Sequence, residues 1–161
     1  MSIASWRVAA GIGWCLVPLL FEAAGAQQFQ TTLKIAPEGG GNCISLVSRE
    51  AVQGEGLQMQ DCENAPGQIF TRDQAKDRIM IGGLCVDANG GGPGDLVKLA
   101  TCDSAVGQAW KLERKGDFVK FIGVKGLCLD IRYGSKDRGA PPQSWTCEDT
   151  APNQLWGLQQ K

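Results

Sequence analysis

Gly126-Leu127-Cys128-Leu129-Asp130, then Gln143-Ser144-Trp145-Thr146-Cys147, then Asn153-Gln154-Leu155-Trp156, is the stretch whose reading decides the fold of this chain. Two cysteines are followed by a short run and a Gln-x-aromatic triplet. The same order occurs upstream as Cys85, Cys102 and Gln108-Ala109-Trp110, and before that as Cys43, Cys62 and Gln68-Ile69-Phe70. A recurrence of about 40 residues marks one supersecondary unit copied in tandem, each copy unable to bury its apolar face alone. The three copies are therefore expected to pack into one domain. They can also be compared with one another, which separates shared scaffold from residues present once.

The segment before the first copy has a different character. Arg7 precedes an apolar stretch from Val8 to Phe21, and Ala24-Gly25-Ala26 matches a small-residue cleavage site. Residues 1–26 read as a secretory signal peptide cleaved near Ala26. The apolar run, about 14 residues, is too short to cross ~30 Å of hydrocarbon. Cleavage takes away Arg7, Glu22 and Cys15. From totals of 16 basic residues, 17 acidic residues and 7 cysteines it leaves 15, 16 and six in residues 27–161. An even set of cysteines suits an oxidising compartment, secreted or periplasmic. Residues 27–161 are long enough for one domain that buries roughly two thirds of its chain surface.

Six cysteines allow 15 pairings. Only Cys43–Cys62, Cys85–Cys102 and Cys128–Cys147 respects the repeat, each bond contributing roughly 3 kcal/mol on the chain-entropy model. A zinc site is the rival, but the chain has no Cys-x-x-Cys spacing and no histidine. A formal charge of −1 gives no general attraction to polyphosphate. The densest basic cluster, Arg132, Lys136 and Arg138, is balanced by Asp130 and Asp137, so nucleic-acid binding is argued against.

Within a copy the texture is β. Arg78–Ile81, Leu84–Val86, Leu96–Leu99 and Trp110–Leu112 are short runs split by Gly-rich turns, and the third copy repeats them as Phe118–Ile122, Leu127–Leu129, Gln143–Trp145 and Leu155–Leu158. No segment holds a 3.6-residue apolar period over a dozen residues, so helix beyond a single turn is not expected. Asn89-Gly90-Gly91-Gly92-Pro93-Gly94 reads as a tight turn and not a phosphate loop, because neither Lys-Ser/Thr nor a helix follows. A calcium loop from Asp87 fails because Lys98 occupies the place of the closing glutamate. No cofactor is implied.

The third copy, with its cysteines and Gln154-Leu155-Trp156, resembles the ricin B-chain type lectin repeat and its Gln-x-Trp signature. The resemblance covers essentially all of residues 30–161. It implies an all-β fold, a β-trefoil of three four-stranded units about a pseudo-threefold axis, with copies at about 28–74, 75–115 and 116–161. Gln68, Phe70, Gln108, Trp110, Gln154 and Trp156 recur at equivalent points and are expected to be scaffold, the aromatics meeting in the core.

The resemblance further implies that Asp130, Gln143, Trp145, Asn153 and Gln154 form a sugar pocket, complete only in the third copy. In the second copy Asp87 is present, but Lys98, Ala100 and Gly107 replace Gln143, Trp145 and Asn153. In the first, Ser45 replaces the aspartate and Gln60 the tryptophan, Gln58 is kept, and Gly67 stands where the asparagine belongs. The chemistry suits a neutral sugar. An ionised Asp130 accepts bonds from two vicinal hydroxyls, Asn153 offers a donor and an acceptor, and Trp145 offers a flat face to the C–H patch of a pyranose. Gln143 and Gln154 are expected to hold the aspartate and asparagine in place. Asp130 as a turn residue and Trp145 as a buried inter-unit residue are the structural alternatives, and Asp87 is expected to satisfy turn amides. Tyr133, Lys136 and Arg138 lie on the loop that follows, where they extend the site or obstruct it.

Without histidine, Ser-His-Asp, Cys-His and histidine acid–base schemes are excluded. A two-carboxylate glycosidase stays chemically open, but Glu148-Asp149 reads as a solvated turn, and an enzyme is not expected. The function expected is a secreted lectin for galactose-type sugars. The alternatives are a module for xylan or another polysaccharide, and a non-sugar trefoil acting as inhibitor, adaptor or targeting subunit of a toxin or hydrolase. The expected partners are glycans, with a separate enzymatic or toxin subunit as a further possibility and no membrane span in residues 27–161.

Overall fold

The computed structural model describes residues 29–35, 42–63, 65–135 and 137–160. The expected leader, residues 1–26, lies outside the described residues. The first copy holds β1 (Phe29–Ile35), β2 (Asn42–Leu46), β3 (Leu57–Asp61) and β4 (Phe70–Asp73). The second holds β5 (Arg78–Ile81), β6 (Leu84–Asp87), β7 (Lys98–Thr101) and β8 (Lys111–Lys115). The third holds β9 (Phe118–Ile122), β10 (Leu127–Ile131), β11 (Pro142–Thr146) and β12 (Trp156–Gln160). Helix among the described residues is confined to single 3-10 turns, as the absence of a 3.6-residue period implies.

In each copy the middle strands form a hairpin of matching register. Ser45 faces Gln58 and Cys43 faces Gln60 across β2–β3. Asp87 faces Lys98 and Cys85 faces Ala100 across β6–β7, while Asp130 faces Gln143 and Cys128 faces Trp145 across β10–β11. The outer strands join the copies: β1 pairs with β12 and β4, β4 with β5, and β9 with β8 and β12. The Trp110 N–H donates to the Asp77 carbonyl at 2.6 Å, tying the entry of β8 to the turn before β5. Three copies of one four-stranded unit closed in this way make a β-trefoil.

One expected strand moves. Leu96–Leu99 begins as a strand only at Lys98, because the residues before it bond to the third copy: Leu96 bridges to Gln143, and the Val97 N–H donates to the Pro142 carbonyl at 3.1 Å. The second and third copies are thus stitched together beside β11.

Phe70, Trp110 and Trp156 are at most 1% exposed and share one apolar cluster with Ile44, Val86 and Leu129. Trp110 Nε1 donates to the Val86 carbonyl at 2.9 Å, and Trp156 Nε1 to the Leu129 carbonyl at 3.2 Å, so each buried indole N–H is satisfied by the hairpin above it. Bonds join Cys43–Cys62, Cys85–Cys102 and Cys128–Cys147, each with Cα atoms 5.0 Å apart.

The signature glutamines act on those cysteine segments. Gln68 Nε2 donates to the Asp61 carbonyl (2.6 Å) while its Oε1 accepts from the Glu63 N–H (2.9 Å). Gln108 makes the same pair to Thr101 (2.9 Å) and Asp103 (3.0 Å), and Gln154 to Thr146 (2.8 Å) and Glu148 (2.9 Å). Each glutamine clasps the residues on either side of its copy's second cysteine, satisfying backbone groups that would otherwise be orphaned.

Candidate functional site

Strand alternation puts Asp130 on one face of β10, and Gln143 and Trp145 on the same face of β11, while Leu129 and Ser144 point to the other; of the first three only Trp145 is exposed. The 3-10 turn Pro152–Gln154 then carries Asn153 and Gln154 up to the hairpin. All five residues picked out by the sequence line one open concavity of about 390 Å³.

Asp130 is its centre. Its Oδ1 accepts from Gln143 Nε2 at 2.9 Å, and its Oδ2 accepts from Asn153 Nδ2 at 2.6 Å and Gln154 Nε2 at 3.0 Å. Three neutral amides aim one carboxylate, and no cation lies within ion-pair distance of it among the described residues. Burial pushes the Asp130 carboxyl above its ordinary range. The bonds from Gln143 and Gln154 oppose that shift, and the nearby Glu148 charge adds to it. Oδ1 has one protein donor and retains acceptor capacity for a ligand hydroxyl.

The glutamines differ from expectation in one respect. Both hold Asp130, but neither holds Asn153. Asn153 is itself a third holder, its Nδ2 shared between Asp130 and the Ile131 carbonyl at 3.3 Å. Trp145 is 40% exposed and not buried between copies. Its edge rests on Gly94 of the second copy, where an added Cβ would lie 3.5 Å from Cζ3. Gly94 is anchored there by its N–H to the Ser144 carbonyl at 2.7 Å.

The loop residues part company. Tyr133 and Arg132 line the concavity. Arg138 turns away and pairs with Asp61 of the first copy at 2.6 Å. Lys136 is outside the described residues.

Three contributors escaped the sequence reading. Gly94 was legible only as a turn residue. Gly134, in left-handed conformation at φ +61, comes close to Asn153: an added Cβ would be 3.9 Å from its Cγ. Lys120, 2% exposed on β9, donates to the Glu148 carbonyl and so pins the segment that forms one wall. Its strand shows an unbroken apolar-polar mixture in sequence, with nothing to mark the lysine as inward.

The other two copies are built differently. Asp87 Oδ1 accepts from the Asn89 N–H at 2.7 Å, the turn role expected of it, and its Oδ2 accepts from Gln108 at 3.2 Å. In the first copy Gln58 donates to the Leu46 carbonyl at 3.4 Å, with Ser45 opposite it in place of a carboxylate.

The fold and this hairpin site define a trefoil of the lectin type. The ricin-type beta-trefoil lectin domain model matches residues 29–156, and the chain belongs to that family. Among solved structures it is similar to the designed threefold-symmetric protein ThreeFoil (TM-score 0.70, 16% identity, 81% of this chain and 96% of that one). It is also similar to the C-half of the earthworm R-type lectin in complex with GalNAc (TM-score 0.67, 19% identity, 83% and 99%). A third likeness is to the agglutinin from Abrus precatorius (TM-score 0.70, 21% identity, 84% and 49%), of which this chain spans about half. No curated protein matches the chain in sequence.

Proposed function

We infer that this protein is a lectin whose third copy, through Asp130, Gln143, Trp145, Asn153 and Gln154, reversibly binds a galactose-type sugar. The observation that carries the reading is the convergence on Asp130 of three side-chain amides next to an exposed tryptophan. A carboxylate buried without a cation is costly, and an exposed indole buries little; both are explained if a polyol with one apolar face completes the site. Asp130 Oδ1 and the Asn153 carbonyl oxygen accept hydroxyl protons, and Trp145 takes the C–H face. The ricin-type lectin domain is generally non-enzymatic, and the proposed event is binding without bond cleavage. One shallow site of this kind gives a dissociation constant near 1 mM, or roughly 4 kcal/mol, so multivalent presentation supplies useful strength. Three disulfides suit an oxidising environment, and we place the protein outside the cytoplasm.

Calorimetric titration with galactose, lactose and xylobiose, alongside Asp130→Ala, tests this. Saturable heat with a galactoside, lost in the variant while the fold persists, is the expected result. Binding of xylobiose alone moves the ligand to xylan-type chains at the same residues. No binding by any of the three, with the fold intact, rejects the galactose-type reading.

A further inference from the structure

We propose that Tyr133 is a second stacking surface, so that the site takes a disaccharide or longer glycan with its first ring on Trp145 and its second on Tyr133. This rests on the reading of the third copy as a sugar site. Tyr133 lies three residues after Asp130 with φ +60, in the left-handed region. The residue three after Asp87 in the second copy is Gly90, at φ +97. Glycine takes such a conformation without steric penalty, whereas a bulky aromatic takes it with strain. Strain of this kind is normally compensated by packing, yet Tyr133 is 87% exposed, the largest exposure among the exposed large apolar residues described. Non-glycine residues held in this region cluster at ligand clamps and active sites, and Tyr133, unlike the similarly held and exposed Lys125, lines the concavity.

The surroundings direct the ring toward the site. Tyr133 lines the same concavity as Asp130 and Trp145. The Arg132 guanidinium carbon stands 5.1 Å from the ring centroid, a cation–π contact that orders the ring. The next residue, Gly134, lies beside Asn153, where an added Cβ would be 3.9 Å from its Cγ, so the turn that carries Tyr133 borders the carboxylate's holders. Trp145 and Tyr133 thus offer two aromatic surfaces to one concavity, one for each ring of a disaccharide.

Tyr133 is the chain's single tyrosine, so 3-fluorotyrosine labelling gives one fluorine resonance that reports on it alone. The test is titration of wild type, Tyr133→Asn and Asp130→Ala with galactose and with lactose, followed by calorimetry and by that resonance. Wild type is expected to bind lactose about three- to tenfold more tightly than galactose, the range of one aromatic stacking contact. Lactose should shift the fluorine resonance and galactose should not. In Tyr133→Asn the lactose preference should vanish while galactose affinity stays within twofold, and the melting temperature should not fall, since asparagine suits the left-handed conformation. Equal binding of the two sugars by wild type, equal weakening of both in Tyr133→Asn, or a marked loss of stability in that variant overturns the proposal and leaves the site at Asp130 standing. If wild type binds neither sugar, the sugar-site reading fails and this inference with it.

Discussion

The second and third copies share a frame and differ in what they do with an aspartate at the same place in it. Asp87 and Asp130 each follow the first cysteine by two residues, each face a partner strand across a hairpin, and each receive a bond from the clasping glutamine. In the second copy the residue before that glutamine is Gly107, and a Cβ there would lie 2.6 Å from Asp87 Oδ1. The carboxylate occupies the space a side chain would need and accepts the Asn89 N–H of its own turn. In the third copy Asn153 fills that place, and its Nδ2 with Gln143 and Gln154 turns the carboxylate into the centre of an open concavity. The aspartate alone is therefore no marker of a site; its amide neighbours decide whether it caps a turn or faces the open concavity.

The largest effect follows from removing that centre. Asp130→Ala should bring sugar binding below detection, whereas Asp87→Ala should leave it unchanged, both read by calorimetry. The pH dependence sharpens the same point. Because the folded Asp130 pKa is raised, the folded state binds this proton more tightly than the unfolded chain. Its contribution to stability is present at low pH and lost as pH rises through the folded pKa. Sugar affinity, which needs the carboxylate, should run the other way and fade as pH falls through that same raised pKa. Asp130→Asn, which cannot titrate, should remove this component of the pH dependence of stability and abolish binding at every pH.

Trp145→Ala comes next, expected to weaken galactoside binding about tenfold from loss of one stacking surface. At 40% exposure, and resting only an edge on Gly94, it should change stability by less than about 1 kcal/mol. Coupled loss of fold and binding would make Trp145 an inter-copy packing residue instead.

The clasps allow the copies to be compared directly. Gln108→Ala and Gln154→Ala should each cost about 1 kcal/mol in chemical denaturation, since each leaves a part-buried carbonyl and N–H without that partner. Only Gln154→Ala should also lose sugar binding, because only Gln154 holds the carboxylate of the complete site. Binding retained in Gln154→Ala would show that Gln143 and Asn153 suffice to aim Asp130.

How much of this the sequence disclosed differs between scaffold and site. The cysteine pairing and the buried Phe70, Trp110 and Trp156 were legible because three copies repeat them, and a repeated residue answers to the frame. The residues that line the concavity stood out for the opposite reason, as Trp145 and Asn153 have no counterpart in the other two copies. Contacts between copies were not legible: Gly94 under Trp145, the bond of Val97 to Pro142, and Arg138 reaching Asp61 join segments whose proximity only the closed trefoil creates. The inward Lys120 stayed hidden because its partner is a backbone carbonyl, which no side-chain pattern announces.

The smallest expected effect is the most demanding of the comparison. Lys98→Gln, Ala100→Trp and Gly107→Asn together would rebuild the third copy's constellation on the second copy's hairpin, whose register already places residues 87, 98 and 100 where 130, 143 and 145 stand. Gly107→Asn alone should destabilise the protein by about 1–3 kcal/mol, because its Cβ collides with Asp87 Oδ1 and the carboxylate must swing off the Asn89 N–H. In the triple variant the introduced glutamine and asparagine offer the displaced carboxylate new amide donors, so part of that cost should be recovered. A second, weaker site should then show as a stoichiometry rising from one toward two sugars per chain. A triple variant that folds and still binds one sugar would mean that the frame outside these positions, above all the backbone of the Ile131–Gly134 turn, is also required.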